Sequence, residues 1–509
     1  GDDSGSGDNT TAATVATTAT AAVTTAAPVV TTAPAAVTTA AVDTTVAGGD
    51  TTVPETTVAA GPCDVDASID AAEGVNAGAF SAALRCAEVQ PIAAEGEPIV
   101  IGIQNPEGDP NGSFPEYSLS VQAAADFINA ELGGIGGDVL TGKPGRPIEI
   151  ELCVMAITPA DSQRCANELA GKNPFTVIST LNFFGNHFPI YAQAGVSVIV
   201  GTPITVGDFT DPSTFAIGAG GGCLGVHTGL IYAATQPEAG INAKRVAVPW
   251  ADTPPGVVCY YDLEQKPLEV LKGDTPGTSA LAGSIPDLEY IKDGVPIKPA
   301  APDVTPQATQ VLAFNPEAIV LSAQGADCWN FVDGLGRQGW TPDAIPLLLS
   351  GACIDFDKMT AAGDLAKGIY FVGAAGAALS NPDAITNPRL KLEAITYLTK
   401  AAKYGMSETD IKKGFAAQGW SVMMTVWEQA GLAADVTPDA FKAQFKATAG
   451  NHIYGSVPFG CSEAKAPYVA VCNTRVSLSQ WNGTELVSII ENYSGVDLIA
   501  GTELQPGPK

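Results

Sequence analysis

The stretch PIVIGIQNPEGDPNGSFPEYSLSVQAAADFIN, residues 98–129, decides the fold. It opens with an apolar run, 99–103, typical of a strand buried on both faces. A loop rich in Asn, Asp, Pro and Gly follows at 104–114, and apolar residues then recur at helical spacing over 121–132. This order predicts the first unit of a parallel α/β sheet, in which ligands bind beyond the carboxyl ends of the strands.

The rest of the chain continues this alternation of strands and helices. The predicted strands are 148–154, 176–180, 196–200, 215–218, 245–249, 318–322, 346–350 and 368–373. Helix-like runs between them include 159–170, 226–234, 305–314 and 327–338. Residues 387–449 read as mostly helical, and 453–499 return to short strands and turns. Such alternation predicts doubly wound parallel sheets.

Length and charge narrow the class of protein. A chain of 509 residues exceeds one ordinary domain, so two or three are expected. The formal net charge of −29 would repel nucleic acid and anionic membranes, and its plainest role is solubility. No apolar run is long enough to span a bilayer, and no signal peptide is recognised. The opening GDDSGSGDN is typical of a region that follows a removed export signal.

The first sixty residues differ in composition from all that follows. Residues 8–60 consist almost wholly of Thr, Ala, Val and Pro, so 1–60 are predicted to form a disordered tether that cannot bury a core. Such composition also suits O-glycosylation. The tether would reach about 40 Å as a coil and roughly 150 Å if extended, as a stalk or a simple linker. Residues 61–96 read as a short preamble with one helix.

The cysteine pattern predicts disulfides. There are 10 cysteines and no CxxC pair, which favours structural bridges and an oxidising compartment over zinc or redox chemistry. Pairing between sequential cysteines is expected, although sequence alone leaves the connectivity open. The expected pairs are Cys63 with Cys86, Cys153 with Cys165, Cys223 with Cys259, Cys328 with Cys353, and Cys461 with Cys472. Cys223 and Cys259 are each expected to open a helix.

The order of elements resembles the extracellular substrate-binding proteins of ABC transporters, in the leucine/isoleucine/valine-binding branch. The resemblance covers about 97–499 and is strongest in APDVTPQATQVLAFNPEAIVLSAQGADCWNFVDGLGRQGW, residues 301–340. Such proteins carry a similar D-F-T/S motif, then a helix, then a P-D-A-V turn into a strand. The helix start GSFPE and the stretch ISTLNFFGNHFPIYAQAGVSVIVGTPIT also fit the pattern.

The resemblance implies a type I periplasmic-binding-protein fold, with two α/β lobes joined by a three-crossover hinge. Lobe one would comprise 97–219 and 376–457, lobe two 220–375 and 458–500, and 501–509 a tail. It also implies solute capture in the cleft and delivery to an ABC permease by a monomer that needs no cofactor. A lipidated Cys just before Gly1 would anchor the tether outside the cytoplasmic membrane.

The expected site departs from that of the amino-acid binders, which present small hydroxyl residues after the third strand. Here Asn182 and Phe183 occupy that loop; Asn182 can donate a hydrogen bond, and Phe183 adds apolar surface or packs in the core. After the fourth strand, either Thr202 or Thr205 could present a hydroxyl, with Thr205 preferred.

The partner expected for a ligand ammonium is also absent. Amino-acid binders tend to place an acid two residues before the D-F-T motif, where this chain has Ala301. A buried ammonium without a carboxylate is very costly, so a zwitterionic amino acid is disfavoured unless Asp252 or Glu107 substitutes. The expected ligand is therefore a small polar or amphipathic solute, amino-acid-like, an amide or related.

Loops after the strands supply the remaining candidates. The full set of predicted ligand-binding residues is Asn105, Ser113, Phe114, Asn182, Phe183, Thr205, Trp250, Asp252 and Gln324. For the polar members a solvated or capping role is an equal alternative, and the neighbouring Asp327 is a candidate helix N-cap.

A glycine motif and the three histidines could suggest a cofactor or a metal site. Gly220, Gly222 and Gly225 match the G-x-G-x-x-G spacing of dinucleotide sites, but the required acid is not evident, so a hinge between lobes explains them better. The three histidines, His187, His227 and His452, lie far apart in sequence and near no Cys pair, which argues against a metal site.

A solute-binding protein is therefore the leading hypothesis, and catalysis is not expected. The alternatives are a ligand-sensing receptor ectodomain on the same fold and a nucleotide-dependent α/β enzyme. Fold alone does not decide among them.

Overall fold

The computed structural model describes residues 61–218, 220, 222–373, 379–464 and 468–502. The predicted tether, 1–60, and most of the predicted tail lie outside the described residues. The strands are β1 Ile99–Pro106, β2 Ile148–Met155, β3 Thr176–Ser179, β4 Val198–Val200, β5 Thr214–Ala216, β6 Arg245–Ala247, β7 Pro249–Ala251, β8 Glu289–Tyr290, β9 Val295–Ile297, β10 Ala318–Leu321, β11 Leu347–Ser350, β12 Tyr370–Gly373, β13 Val476–Trp481 and β14 Leu486–Tyr493.

Helices separate most of these strands. The α-helices are Asp70–Glu73, Ala77–Val89, Pro115–Glu131, Pro159–Ala170, Phe188–Ala194, Val206–Thr210, Cys223–Thr235, Pro254–Tyr260, Lys266–Lys272, Thr305–Ala313, Ala326–Arg337, Phe356–Ala362, Pro388–Lys403, Glu408–Ile411, Gly414–Leu432 and Pro438–Ala447. A π-helical turn, Tyr261–Gln265, joins two of them.

The first sheet is the core of what we call the first lobe. Its five strands are all parallel, in the order β2-β1-β3-β4-β5. Both faces are covered, because β3, β4 and β5 are buried along their whole length. This explains why these strands read as continuous apolar runs rather than as alternating ones.

The second sheet is the core of the second lobe. Its seven strands run in the order β14-β13-β12-β11-β10-β6-β8, and β7 pairs with β9 in a separate ribbon. Strands β12, β11, β10, β6 and β8 of this sheet run parallel to one another. Strands β13 and β14 are antiparallel and form one edge of the sheet. The predicted strand 245–249 is therefore two strands, β6 and β7, which belong to different sheets.

The chain completes the first lobe only after it has built most of the second. The late helix Gly414–Leu432 packs against Pro115–Glu131, where Ser120 Oγ donates to the Ala416 carbonyl. The next helix, Pro438–Ala447, covers the first sheet and places Phe445 against Phe215 of β5. The α/β class and parallel sheets predicted from the sequence are confirmed.

The preamble, residues 61–96, packs onto the first lobe. Its helix Ala77–Val89 is bridged to the chain before it by the Cys63–Cys86 disulfide. Phe80 is buried against Trp427 and His452.

A buried ionic cluster holds the same region. His452 Nδ1 lies 2.8 Å from Glu428 Oε2, and His452 Nε2 lies 2.8 Å from Glu393 Oε1. Arg389 contacts Glu393 and reaches Glu73 of the preamble at 2.9 Å. His452, Glu428, Glu393 and Arg389 are almost fully buried, so each depends on its partners.

The cysteines form five disulfides, and each joins neighbours in chain order, as expected. The expectation that Cys259 opens a helix is wrong. Cys259 lies in the last turn of Pro254–Tyr260, because Thr253 caps that helix and Pro254 begins it.

Candidate functional site

A cavity of about 90 Å³ lies between the two lobes. The first lobe contributes residues that follow β3 and β4 and residues at the start of Gly414–Leu432, while the second lobe contributes residues that follow β7, β10, β11 and β12. Its lining comprises Leu181, Phe183, Thr202, Ile204, Gly222, Cys223, Val226, His227, Ala251, Thr253, Pro255, Gly256, Cys259, Ser322, Ala323, Gln324, Ser350, Gly351, Ala352, Gly373, Gly414, Phe415 and Gln418. We call it the central cavity; it lies at the carboxyl ends of both sheets, where ligands of parallel α/β folds bind.

The wall of the central cavity is mostly apolar, and no Asp, Glu, Lys or Arg is among the described residues that line it. Most of its polar side chains are committed to protein partners. Thr253 Oγ1 accepts from the Gly256 N–H, and Ser350 Oγ donates to the Ala323 carbonyl. Thr202 Oγ1 accepts from Gln418 Nε2 at 2.7 Å, which links the loop after β4 to the helix Gly414–Leu432.

His227 is the titratable side chain of the cavity wall. It projects from helix Cys223–Thr235, and its Nδ1 lies 2.8 Å from Glu264 Oε1 and 3.1 Å from Ser322 Oγ. Glu264, in the π-helical turn, is completely buried. Burial raises the pKa of Glu264, and the nearby His227 opposes that rise.

His227 Nε2 and the Gln324 amide are polar groups of the wall that keep their hydrogen-bonding capacity. Among the described residues, none bonds His227 Nε2, the ring nitrogen opposite the Glu264 contact. The half-buried Gln324 amide likewise has no side-chain hydrogen bond to any residue that the structure describes. A ligand in the central cavity can therefore be held by one ring nitrogen and one amide.

A second cavity, of about 520 Å³, opens next to the first, and Gln324 lines both. We call it the mouth cavity. One wall is the loop 109–114 of the first lobe, and the other comprises 300–304 and 324–327 of the second. Asp109, Asp303 and Asp327 all lie there, so the approach to the central cavity is mainly acidic.

A third cavity, of about 170 Å³, lies beside both and is lined by residues of the two lobes. Phe114 stacks edge-on against Phe415 in its wall, with ring centroids 4.9 Å apart. Glu116 also lines it, and burial raises the pKa of that carboxyl to about 7.

Four of the residues predicted from the sequence line this cleft. Phe183 and Gln324 line the central cavity, and Ser113 and Phe114 line the mouth cavity. Ser113 also fixes its own loop, because its Oγ accepts from the Gly108 N–H at 2.8 Å.

Two predicted asparagines lie inside the first lobe and line none of the three cavities. Asn105 Nδ2 donates to the Phe114 carbonyl at 2.7 Å, so it shapes the loop from within. Asn182 Nδ2 donates to Ser162 Oγ at 2.7 Å, and its Oδ1 accepts from the Phe184 N–H. Each of these amides is used to hold a loop, and contact of either with a ligand stays a prediction.

Three further predicted residues also lie outside the cavities. Thr205 caps the helix Val206–Thr210 in a reciprocal capping box with Asp208, so Thr202, and not Thr205, presents its hydroxyl to the central cavity. Trp250 is buried in the second lobe, where it stacks on Tyr260 with centroids 5.2 Å apart. Asp252 is exposed, and the proposed substitutes for an ammonium partner, Asp252 and Glu107, line none of the three cavities.

Another expectation concerned Asp327 as an N-cap. The cap position is Gly325, and the Asp327 carboxylate accepts from the Ala300 N–H at 3.0 Å instead. Asp327 therefore holds the loop at Ala300 in the wall of the mouth cavity and does not cap the helix.

The glycines with dinucleotide-like spacing have a packing explanation. Gly220 and Gly222 both have φ of +60°. A Cβ on Gly222 would lie 1.9 Å from the Pro203 carbonyl oxygen, and one on Gly225 would lie 1.7 Å from that of Gly220. The chain crosses here from β5 of the first lobe to a helix of the second, so glycine is required by close backbone approach.

The sequence did not reveal the surroundings of His227. The structure brings the ligand atoms of Cys223, His227 and Cys259 within 4.8 Å of one another, although no Cys pair lies near His227 in sequence. Both sulfurs are joined in a disulfide, which leaves no thiolate for a metal. The partnership of His227 with Glu264 was also missed, and no spacing motif marks it.

Residues 281–470 match the family of periplasmic binding proteins. No curated protein matches the chain significantly. None of the described helices has both the length and the apolar character needed to cross a bilayer.

Solved structures share the fold across both lobes. A branched-chain amino acid transporter substrate-binding protein from Streptococcus pneumoniae, in complex with isoleucine, aligns with TM-score 0.54 and 16% identity, covering 77% of this chain and 100% of that chain. A solute-binding protein from R. palustris, in complex with 4-hydroxybenzoate, aligns with TM-score 0.57 and 16% identity, covering 78% and 97%. A fatty acid ABC transporter substrate-binding protein from Thermomonospora curvata aligns with TM-score 0.56 and 14% identity, covering 80% and 95%.

The fold is thus that of the type I periplasmic binding proteins. The predicted resemblance to the substrate-binding proteins of ABC transporters, including those of the branched-chain amino acid branch, is confirmed in the fold.

Proposed function

We propose that this protein is an extracellular solute-binding protein, which captures a small solute in the central cavity and delivers it to an ABC permease. The observation that carries the proposal is the central cavity itself, whose wall is shared between the two lobes. A solute that contacts both lobes favours their closed arrangement, and closure in turn holds the solute.

The chemistry of the solute is not fixed by the fold. Structurally similar proteins are described as binding isoleucine and 4-hydroxybenzoate, and another as a fatty acid transporter component. The proposal therefore rests on the cavity of this chain for ligand class and on the shared fold for the mode of capture.

The proposal includes the wider organisation predicted from the sequence. The lobes would comprise 97–219 with 376–457 and 220–375 with 458–500, and the tether would lead to a lipid anchor outside the cytoplasmic membrane. Five disulfides support an oxidising, extracellular location. The protein would act as a monomer.

The proposal includes no catalysis. Ser322, His227 and Glu264 have the side chains of a hydrolase triad, but both partners approach the same ring nitrogen, Nδ1. In a working triad the nucleophile and the carboxylate engage opposite nitrogens of the imidazole. The arrangement is that of a buried polar pair in a binding wall.

A thermal-shift screen across a broad solute library tests the proposal. A ligand at one hundred times its Kd stabilises the folded state by about 2.7 kcal/mol, so at least one solute should raise the midpoint by several degrees. If no solute of any charge class does so, solute capture is wrong.

A pair of matched variants tests whether the solute binds in the central cavity. Ala323→Leu fills part of the central cavity and should abolish the shift. The control is Ala313→Leu, the same change at an exposed position at the end of Thr305–Ala313 in the second lobe, which should leave the shift intact. An unchanged shift in Ala323→Leu would place the ligand elsewhere.

A further inference from the structure

We propose that the solute bound in the central cavity is uncharged and largely apolar, with one polar group that contacts His227 Nε2. The inference rests on the proposed function and names the class of ligand for the same cavity.

The first argument is the missing ionic partner. A carboxylate or ammonium placed in the central cavity would lose its hydration, and no lining residue carries the opposite fixed charge. An unpaired charge in such surroundings costs far more than a neutral group does. A zwitterion would leave two unpaired charges in the cavity, its ammonium and its carboxylate, and each carries this desolvation cost.

The second argument is that Glu264 is out of reach of a ligand and holds His227 in place. The His227–Glu264 contact is 2.8 Å, and Glu264 has no exposed surface from which to reach a ligand. The pair therefore offers the cavity a fixed ring nitrogen. Because Nδ1 is held by Glu264 and Ser322, Nε2 is the atom left for a ligand.

The third argument is the small number of available polar groups. Thr202, Thr253 and Ser350 each already have a protein partner. His227 Nε2 and the Gln324 amide have no partner among the described residues, and Gln418 is bonded only through its Nε2. The rest of the wall is built from groups such as Leu181, Phe183 and Val226, which suit an apolar body.

The fourth argument concerns the route into the cavity. The mouth cavity is lined by Asp109, Asp303 and Asp327, and its Arg337 lies within 4.0 Å of Asp303 and 3.8 Å of Asp333. An anionic solute would therefore be repelled at the approach as well as left unpaired inside.

A probe panel built on two carbon skeletons tests the ligand class. The 3-methylbutyl and benzyl skeletons are each offered as amide, alcohol, carboxylate, amine and α-amino acid, and binding is measured by calorimetry at neutral pH. Binding is expected from an amide or an alcohol and from none of the charged forms. Equal or tighter binding of a carboxylate, an amine or an amino acid would overturn the inference and leave solute capture standing. Binding by no uncharged probe would overturn it too, whereas failure of the whole solute library would contradict solute capture itself.

Variants test the contact with His227. The double variant His227→Leu with Glu264→Met replaces the buried pair by apolar groups without leaving a lone carboxylate. Its affinity for the amide or alcohol probes should fall about tenfold or more, the effect of one lost hydrogen bond in a dry site. The control is His187→Gln, because His187 is buried in the first lobe and lines none of the cavities. An unchanged affinity in the double variant would refute the contact.

Discussion

Thr202 and Thr205 lie three residues apart in the loop after β4, yet their hydroxyls have different partners. Thr202 faces the central cavity and accepts from Gln418, whereas Thr205 caps a short helix. Thr202→Val should weaken solute binding several-fold, because it removes a hydroxyl from the wall and leaves Gln418 Nε2 with the Gly201 carbonyl alone. Calorimetry with any solute found by the screen measures this effect.

Thr205→Ala should act on stability instead. Loss of the cap costs about 1 kcal/mol and should lower the thermal midpoint while leaving solute affinity unchanged. If Thr205→Ala weakened binding and Thr202→Val did not, the assignment of the two hydroxyls would be reversed.

His452 makes the stability of the first lobe depend on pH. Burial alone would lower the pKa of His452, but Glu428 and Glu393 outweigh it and raise the pKa to about 9 from an ordinary 6.5. A raised folded-state pKa contributes stability that is complete below about pH 6.5 and is lost as pH rises through 9. The free energy of unfolding should therefore fall by about 3 kcal/mol across that window, measured by urea titration.

His452→Gln should flatten the dependence of the unfolding free energy on pH, because it removes the imidazole that loses its proton in this window. The charged groups that face His452 are Glu393, Glu428 and Arg389. His187→Gln serves as the control. Burial lowers the pKa of His187 to about 3, so it is neutral throughout and its loss should leave the slope as it is. A slope that persists in His452→Gln would assign it to other groups.

Among the elements, the connection from β5 to the helix Cys223–Thr235 has little room for any side chain larger than that of glycine. Gly222 has φ of +60°, and its Cβ position lies 1.9 Å from a backbone oxygen. Gly222→Ala should lower the free energy of unfolding by more than the 1–2 kcal/mol of left-handed strain alone, about 3 kcal/mol with the clash. Chemical denaturation measures it.

Gly431→Ala is the matched control, the same substitution at a position where a Cβ has room. Gly431 lies in the helix Gly414–Leu432, and nothing lies within 4 Å of its Cβ position. Alanine is favoured over glycine in a helix, so the variant should gain up to about 1 kcal/mol. Equal effects of the two alanines would show that the crossing is not constrained.

The elements themselves were largely predictable from local pattern. Buried parallel strands such as β1, β3 and β10 carry continuous apolar runs, and helix starts such as Pro159 carry Thr or Pro signals. The split of 245–249 into β6 and β7 was not predictable, because one apolar run serves two sheets and only tertiary pairing separates them.

The site was predictable only in outline. Loops after strands were expected to meet in a cleft, and Phe183 and Gln324 line the central cavity. Which polar side chain faces inward depends on competing partners, as with Asn182, whose amide binds Ser162 instead. The His227–Glu264 contact joins residues 37 positions apart, and it exists only because two helical segments pack together.

At the scale of the whole molecule, the net charge of −29 works against the compact state through self-repulsion. The Debye length falls from about 30 Å at 0.01 M salt to about 10 Å at 0.1 M, so added NaCl should screen this repulsion. The thermal midpoint should rise by a few degrees over that range, measured by scanning calorimetry. A sorbitol series of equal osmolality is the control, and a midpoint that falls with NaCl would mean that attractive ion pairs dominate.

The order in which the chain returns to each lobe has a consequence for biosynthesis. The apolar face of Pro115–Glu131 is covered by Gly414–Leu432, and the second sheet closes only with β13 and β14. As the chain grows from its amino end, neither lobe can finish folding until most of the polypeptide has been made, so the two must mature together. A nascent chain that stops near residue 375 would expose unfinished surfaces on both lobes, and such intermediates are prone to aggregate. Producing one lobe alone would require two distant stretches of sequence to be joined by a new linker.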